Sequence, residues 1–130
     1  MRILVGYDGS NSGKEALDLA KKHAIGFKGE VEVITSMLKG TEKEREGMDQ
    51  AKRGLEYAEA LFKENNVPCK THLLIRGLTS GEDLVEFAKE NSIDEIIVGV
   101  KRRSKVGKLL MGSTAQYVIL NAHCPVVSVK

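Results

Sequence analysis

Arg2-Ile-Leu-Val-Gly-Tyr-Asp-Gly-Ser-Asn-Ser-Gly13 is the stretch that decides the fold. Residues 2–7 form a short apolar run and residues 8–13 are polar and glycine-rich. The segment therefore reads as a buried strand ending in a loop. Apolar residues return at Ala16, Leu17, Ala20, Ala24 and Phe27, with His23 beside them. That is the spacing of one helix face. Ser12 with Glu15 predicts a capping box at the helix start. Gly26 and Gly29 predict its end.

The same alternation continues outward from this unit. A second strand is expected from Val31 through Val33 and Ile34 to about Met37. Thr41 and Glu44 predict another capping box. A long helix then carries Met48, Ala51, Leu55, Ala58, Leu61 and Phe62 along one side and stops at Asn65-Asn66-Val67-Pro68. Residues 69–75 give a third strand, and Leu84, Val85 and Ala88 mark a third helix. Residues 93–99 give a fourth strand. A fourth helix is expected over 114–122, and after Pro125 a fifth strand over 126–129. Strict alternation of short apolar strands with helices predicts one α/β domain over residues 1–130. It would be an open, parallel, five-stranded sheet with helices on both faces, in the Rossmann-like class, with right-handed crossovers.

Bulk properties narrow the function. A chain of 130 residues, 42% apolar and 29% charged, can build a core without metal or disulfide staples, so disorder is not expected. The net charge of +2 is too small for a nucleic-acid-binding surface. Cys69 and Cys124 are far apart and belong to no CxxC or Cys/His spacing, so buried reduced thiols are expected rather than zinc or a redox pair. No apolar run is long enough to span a membrane. With a strand starting at Arg2, no signal peptide is expected, and the expected location is the cytoplasm. His23, His72 and His123 are scattered and accompany no nucleophile motif, so they are read as structural or exposed. Asp94-Glu95 is read as a solvated turn.

In an open parallel sheet, ligands sit beyond the carboxyl ends of the strands, where the strand order reverses. The loop after strand four is the most informative one. It reads Gly99-Val-Lys-Arg-Arg-Ser-Lys-Val-Gly-Lys-Leu-Leu-Met-Gly112-Ser113-Thr114. Glycines let a backbone approach a ligand, and a helix start offers unpaired N–H groups and a favourable dipole to phosphate. Hydroxyls of Ser113 and Thr114 and the basic run Lys101, Arg102, Arg103, Lys105 and Lys108 would add to this. An ordinary Ser cap after a glycine turn, beside a solvated basic loop, fits the same residues. A phosphate loop of the GxxxxGK[ST] kind is excluded. Counting back from Gly13-Lys14 puts Asp8 at its first glycine and Glu15 at its last position, and Gly107-Lys108 gives Arg102 and Leu109. No GxGxxG follows strand one, which argues against a dinucleotide.

A strand followed by Asp8-Gly9-Ser10 resembles the opening of universal stress proteins. That family also carries Gly, two residues, Gly, nine residues, then Gly-Ser or Gly-Thr. Here the frame is Gly99, two residues, Arg102, nine residues, Gly112-Ser113. The closing Ala122-His-Cys-Pro-Val-Val-Ser-Val129 is similar as well, so the likeness spans the chain. The resemblance implies strand order 3-2-1-4-5, homodimers through the last strand (residues 126–129), and ATP over the strand ends. Carried over by position, Asp8 in its turn with Gly9 and Ser10 would lie near ribose, phosphates or a nucleotide-bound Mg²⁺. Val33 or Ile34 would meet adenine through the backbone. Gly99 and Val100 would abut ribose and phosphates, and Gly112, Ser113 and Thr114 would hold the phosphates.

Arg102 stands where the motif has its second glycine. Its bulk could close the site, or its guanidinium could clamp phosphate. Two functions are therefore carried forward. One is an ATP-binding stress-response or signalling module with little or no hydrolysis, and not an enzyme. The other is a dimeric interaction module that binds no nucleotide.

Overall fold

A computed structural model describes residues 1–100 and 112–130. Five strands alternate with four helices: β1 (Arg2–Gly6), α1 (Asn11–Phe27), β2 (Glu30–Ser36), α2 (Arg45–Glu64), β3 (Cys69–Leu74), α3 (Ser80–Glu90), β4 (Glu95–Gly99), α4 (Ser113–Asn121) and β5 (Val126–Val129). All pairings are parallel and the order is β3-β2-β1-β4-β5, as the resemblance implied. β1 is central. Val5 stands level with Val33 on one side and Ile97 on the other.

The inner strands β1 and β4 are buried on both faces, which is why they read as unbroken apolar runs. Ile3, Val5, Val31, Val33 and Ile97 point to one face, where Leu17 and Ala20 of α1 and Leu55, Ala58 and Phe62 of α2 cover them. Leu4, Ile34, Ile96 and Val98 point to the other, under Leu84, Phe87 and Ala88 of α3 and Ala115 and Val118 of α4. α4 packs on α3 through Gly81, where a Cβ would lie 2.8 Å from that of Tyr117.

The caps differ from the sequence expectation. Ser10, not Ser12, caps α1: its backbone is extended and its Oγ accepts the Gly13 N–H at 3.1 Å. α1 ends at Phe27, which is exposed, and Lys28 takes the left-handed conformation with φ 53°. Gly29 serves another purpose, since a Cβ there would lie 2.7 Å from the Met1 carbonyl oxygen. Thr41–Glu44 forms no side-chain cap. A 3-10 turn over Glu42–Glu44 precedes α2 instead. The reciprocal capping box stands at α3, where Glu82 N–H donates to Thr79 Oγ1 and Thr79 N–H donates to Glu82 Oε1.

Charged side chains also hold the sheet. Glu32 is 5% exposed on β2, and its carboxylate is 2.9 Å from Arg2 and 3.1 Å from His72 Nε2. Glu95 opens β4 with its carboxylate 2.6 Å from His23 Nδ1, and Asp94 Oδ2 accepts the Arg2 N–H at 2.8 Å. Asp94-Glu95 is thus a junction between elements rather than a solvated turn. His23 and His72 are structural, and His123 is exposed.

Cys69 and Cys124 are half-buried rather than fully buried, and they pack on opposite faces of the sheet. Desolvation, with Glu59 and Glu32 adding to it, pushes the Cys69 thiol from 9.0 up to about 12. The folded chain then keeps a proton that the unfolded chain gives up as pH rises above 9.0, so this thiol's contribution to stability is lost between pH 9.0 and about 12. The urea midpoint of the parent is expected to fall more steeply above pH 9.0 than that of Cys69→Ala. Parallel pH profiles for the two proteins would refute this assignment.

Candidate functional site

From β1 the chain winds through β2 to β3 on one side of the sheet, then crosses back by way of α3 to lay β4 on the other side of β1. The carboxyl ends of β1, β2 and β4 border a cavity of about 260 Å³. Its lining includes Asp8 and Ser10 from the first loop, Ile34 and Ser36 from β2, Gly99 from β4, and Gly112 to Thr114 at the start of α4. This is the switch-point crevice where such sheets bind ligands.

Each wall follows from local sequence. Asp8 Oδ1 accepts the Ser10 N–H at 2.9 Å, an Asx turn that aims the chain into α1. Asp8 lines the cavity while it shapes the turn. Next comes the close packing of α1 on β4. A Cβ on Gly99 would fall 2.7 Å from Ser12 Oγ and 2.9 Å from the Ser12 carbonyl oxygen. The glycine is therefore demanded by α1, whether or not a ligand also uses the space.

α4 begins with Gly112 as its N-cap, at φ −67° and ψ 158°, with no side-chain cap. The N–H groups of its first turn get no acceptor from the capping residue, and Ser113 and Thr114 bring hydroxyls to the same place. Neither α1 nor α4 carries an acidic side chain in its first turn, but at α1 the Asp8 carboxylate stands against the helix start, where it accepts the N–H of the cap Ser10.

The β2 side is different in kind. Asp83 of α3 is fully buried, with Oδ1 2.9 Å from Arg76 Nε, and Ser36 Oγ donates to its Oδ2. Thr35 Oγ1 donates to the Tyr7 carbonyl at 2.8 Å. Burial, then Tyr57 and Asp8 nearby, push the Tyr7 phenol above its ordinary value, so it stays protonated at neutral pH.

Of the residues singled out from sequence, Asp8, Ser10, Ile34, Gly99, Gly112, Ser113 and Thr114 meet around this one cavity. Gly9 is the exposed tip of the first turn, at φ 84°. Val33 is fully buried on the α1/α2 face, and Val100 is buried with its N–H donating to the Val129 carbonyl. Arg102 and the basic run around it lie outside the described residues. Sequence reasoning missed Tyr7, Thr35, Ser36, Ser80, Leu84 and Ala115. A signal existed for Thr35 and Ser36, two hydroxyls that follow the apolar pair Val33-Ile34 at the end of a strand.

An open, doubly wound sheet with a polar crevice at its switch point, walled by helix N-termini, defines the class as an α/β domain of Rossmann-like architecture. A sequence model of the Universal stress protein family matches residues 1–130, and the chain belongs to that family. A universal stress protein of Methanocaldococcus jannaschii is 30% identical, over 99% of this chain and 81% of the relative. Among solved structures, a universal stress protein from Archaeoglobus fulgidus superimposes with a TM-score of 0.91 at 34% identity, covering 100% of this chain and 98% of the other. A universal stress protein from the same organism, solved in complex with dAMP, gives 0.84 at 30% identity over 100% and 98%.

The close approach of Ser12 makes Gly99 a sensitive position. Gly99→Ala is expected to cost roughly 1–3 kcal/mol, because the added methyl overpacks against backbone rather than against a side chain that can swing away. Urea denaturation measures this, and an unchanged midpoint would mean that α1 shifts freely on β4.

Proposed function

We propose that the cleft binds an adenine nucleotide, ATP with Mg²⁺, and that the chain is a nucleotide-responsive stress or signalling module. The observation that carries this reading is the start of α4. Gly112, Ser113 and Thr114 leave helix N–H groups without a side-chain cap and share one cavity with Asp8. Phosphate suits that helix start. Asp8 suits ribose, or the Mg²⁺ that accompanies ATP, since Mg²⁺ takes one or two carboxylates together with phosphate oxygens. A relative 30% identical to this chain was solved in complex with dAMP, which supports an adenine nucleotide as the class of ligand.

Hydrolysis is proposed to be slow or absent, with the protein acting as a binder and not as an enzyme. Among the described lining residues, Asp8 supplies the carboxylate, and this reading assigns it to ribose or Mg²⁺ rather than to activating water. A cytoplasmic setting belongs to the same proposal. Among the described residues, no helix is long and apolar enough to cross a membrane.

The first experiment is to purify the protein natively, denature it, identify any released nucleotide by mass, and titrate the emptied protein with ATP by calorimetry. Stoichiometric adenine nucleotide or micromolar binding supports the reading. No nucleotide and no heat at millimolar ATP would overturn it in favour of the interaction module that Arg102 suggests. Gly112→Val is expected to weaken ATP about tenfold or more, by crowding phosphate at the helix start. Its backbone angles are open to any residue, so the fold should survive. Unchanged affinity would place the site elsewhere.

Self-association through β5 completes the proposal. β5 is a short apolar edge strand, and edges of this kind tend to be paired or covered. The carbonyls of Pro125 and Val129 accept from β4, so by strand parity Val127 also faces β4, whereas Ser128 presents its N–H to the open edge. Ser128→Pro therefore removes an edge donor without touching the β4 ladder. It is expected to convert a dimer into a monomer in a sizing column with light scattering. A dimer that persists in the variant would exclude pairing through β5.

A further inference from the structure

β3 is the other edge of the sheet, and with six residues against four in β5 it is the longer one. Among the described residues, no strand pairs with its outer side. The carbonyls of Pro68 and Leu74 accept from β2, so by strand parity Cys69, Thr71 and Leu73 turn their N–H and C=O groups to the open edge. Such a row is a template for another strand. Proteins guard their edges with prolines, bulges or charges. β3 has an unbroken register, no proline, and Lys70 as its exposed charge.

α2 shows which strand fits. Its Leu55, Ala58 and Phe62 face the sheet, and Gly54 and Tyr57 meet Tyr7 on the α1 side. The opposite flank therefore overhangs the β3 edge, and it carries Asp49, Lys52, Glu59 and Lys63, all exposed. Glu59 lies close enough to Cys69 to add to the desolvation that pushes this thiol up. At the other end a Cβ on Gly40 would lie 3.3 Å from Ile75 and 3.7 Å from Met48. α2 thus runs antiparallel to β3, with Glu59 level with Cys69, Glu56 near Thr71 and Lys52 near Leu73. Among the described residues, no ion pair engages Asp49, Lys52, Glu59 or Lys63.

We propose that the β3 edge pairs antiparallel with β3 of a second copy of this chain, about a two-fold axis at Thr71. In that register Thr71 meets its own copy, a favourable cross-strand pair, and Cys69 meets Leu73. Lys70 falls beside His72, whose ring holds the Glu32 carboxylate, rather than beside another Lys70. The same axis sets α2 antiparallel to its copy. Glu59, level with Cys69, then faces Lys52 of the second copy, and Asp49 faces Lys63, each pair occurring twice. Charges that no neighbour matches within the protomer are matched by the same charges in reverse order. Glu56 stands near the axis and meets its own copy. That repulsion, with the small worth of exposed pairs, makes this contact weaker than the one through β5. With β5 paired as well, the sheet extends from dimer to dimer.

The test is light scattering on the full chain across a concentration series at low salt. The parent's mass is expected to rise above its value at dilution, and added salt should suppress the rise, because exposed charges are screened. Lys52→Glu and Glu59→Lys should each weaken this step about tenfold, since each turns two attractions into two repulsions. The double variant restores the pairs with their signs exchanged and should return to within about threefold of the parent. Glu56→Gln should tighten the association. These side chains are exposed, so the variants keep the fold. A parent whose mass stays constant through the series would overturn the proposal. So would single variants that associate as the parent does, or a double variant no better than the singles.

Discussion

The backbone of Ser12 lies against Gly99 so closely that no side chain fits between them. This contact presses the first turn of α1 onto the carboxyl end of β4, across the line where the strand order reverses. The loop after β1 is then fixed as one wall of the crevice. The Asx bond from Asp8 and the cap at Ser10 are what remains possible for a chain that must turn from β1 into a helix seated there. β4 is held on its other side as well, since the Val100 N–H reaches the Val129 carbonyl before the chain departs toward α4. The cavity is the space left between two helix starts that cannot move closer.

The same contact explains a misreading of the caps. Ser10 and Ser12 both precede a helical pattern, and Ser12 with Glu15 has the better box spacing. Tertiary packing decides against it, because Ser12 is taken up by Gly99. Thr41–Glu44 and Thr79–Glu82 share one pattern, yet only the second forms the box. The first lies in an exposed 3-10 turn with no core to hold it, and the second begins a helix whose next residues, Asp83, Leu84 and Val85, are all buried. The strands were more legible. Burial on both faces leaves continuous apolar runs in β1 and β4, and β5 falls on the expected residues 126–129. The strand order came from resemblance, since alternation alone fixes parallel pairing but not which strand lies beside which.

At the site, what could be read was what is local. A glycine at a strand end, an Asp after a strand and a Gly-Ser-Thr before a helix each announce themselves within a few residues. The long-range pairs do not. Ser36 meets Asp83 across 47 positions, and Arg2 meets Glu32 across 30. His23 finds Glu95 at a separation of 72, so neither residue gives any sign of the other in the sequence. Composition treats such carboxylates as solvated surface. The fold buries them, and each then requires a donor that only the tertiary structure can name.

These pairs give the cleft a polarity along its length. α3 brings two acids in its first turn, but Glu82 is engaged by Thr79 and Asp83 by Arg76 and Ser36. The β2 end is therefore electrically settled within the protein and offers a ligand an apolar surface in Ile34 and Leu84. The opposite end has the start of α4, with no acid in its first turn and glycine as its cap. That end favours negative charge. Between them stands Asp8, whose carboxylate would repel a bare phosphate and is suited instead to hydroxyls or to a cation carried by the phosphates. A ligand that satisfies all three stretches at once is anionic at one end, hydroxylated or metal-bearing in the middle, and flat at the other. An adenine nucleotide has those features in that order, which gives the proposed function a physical basis in the chain's own side chains, independent of any relative.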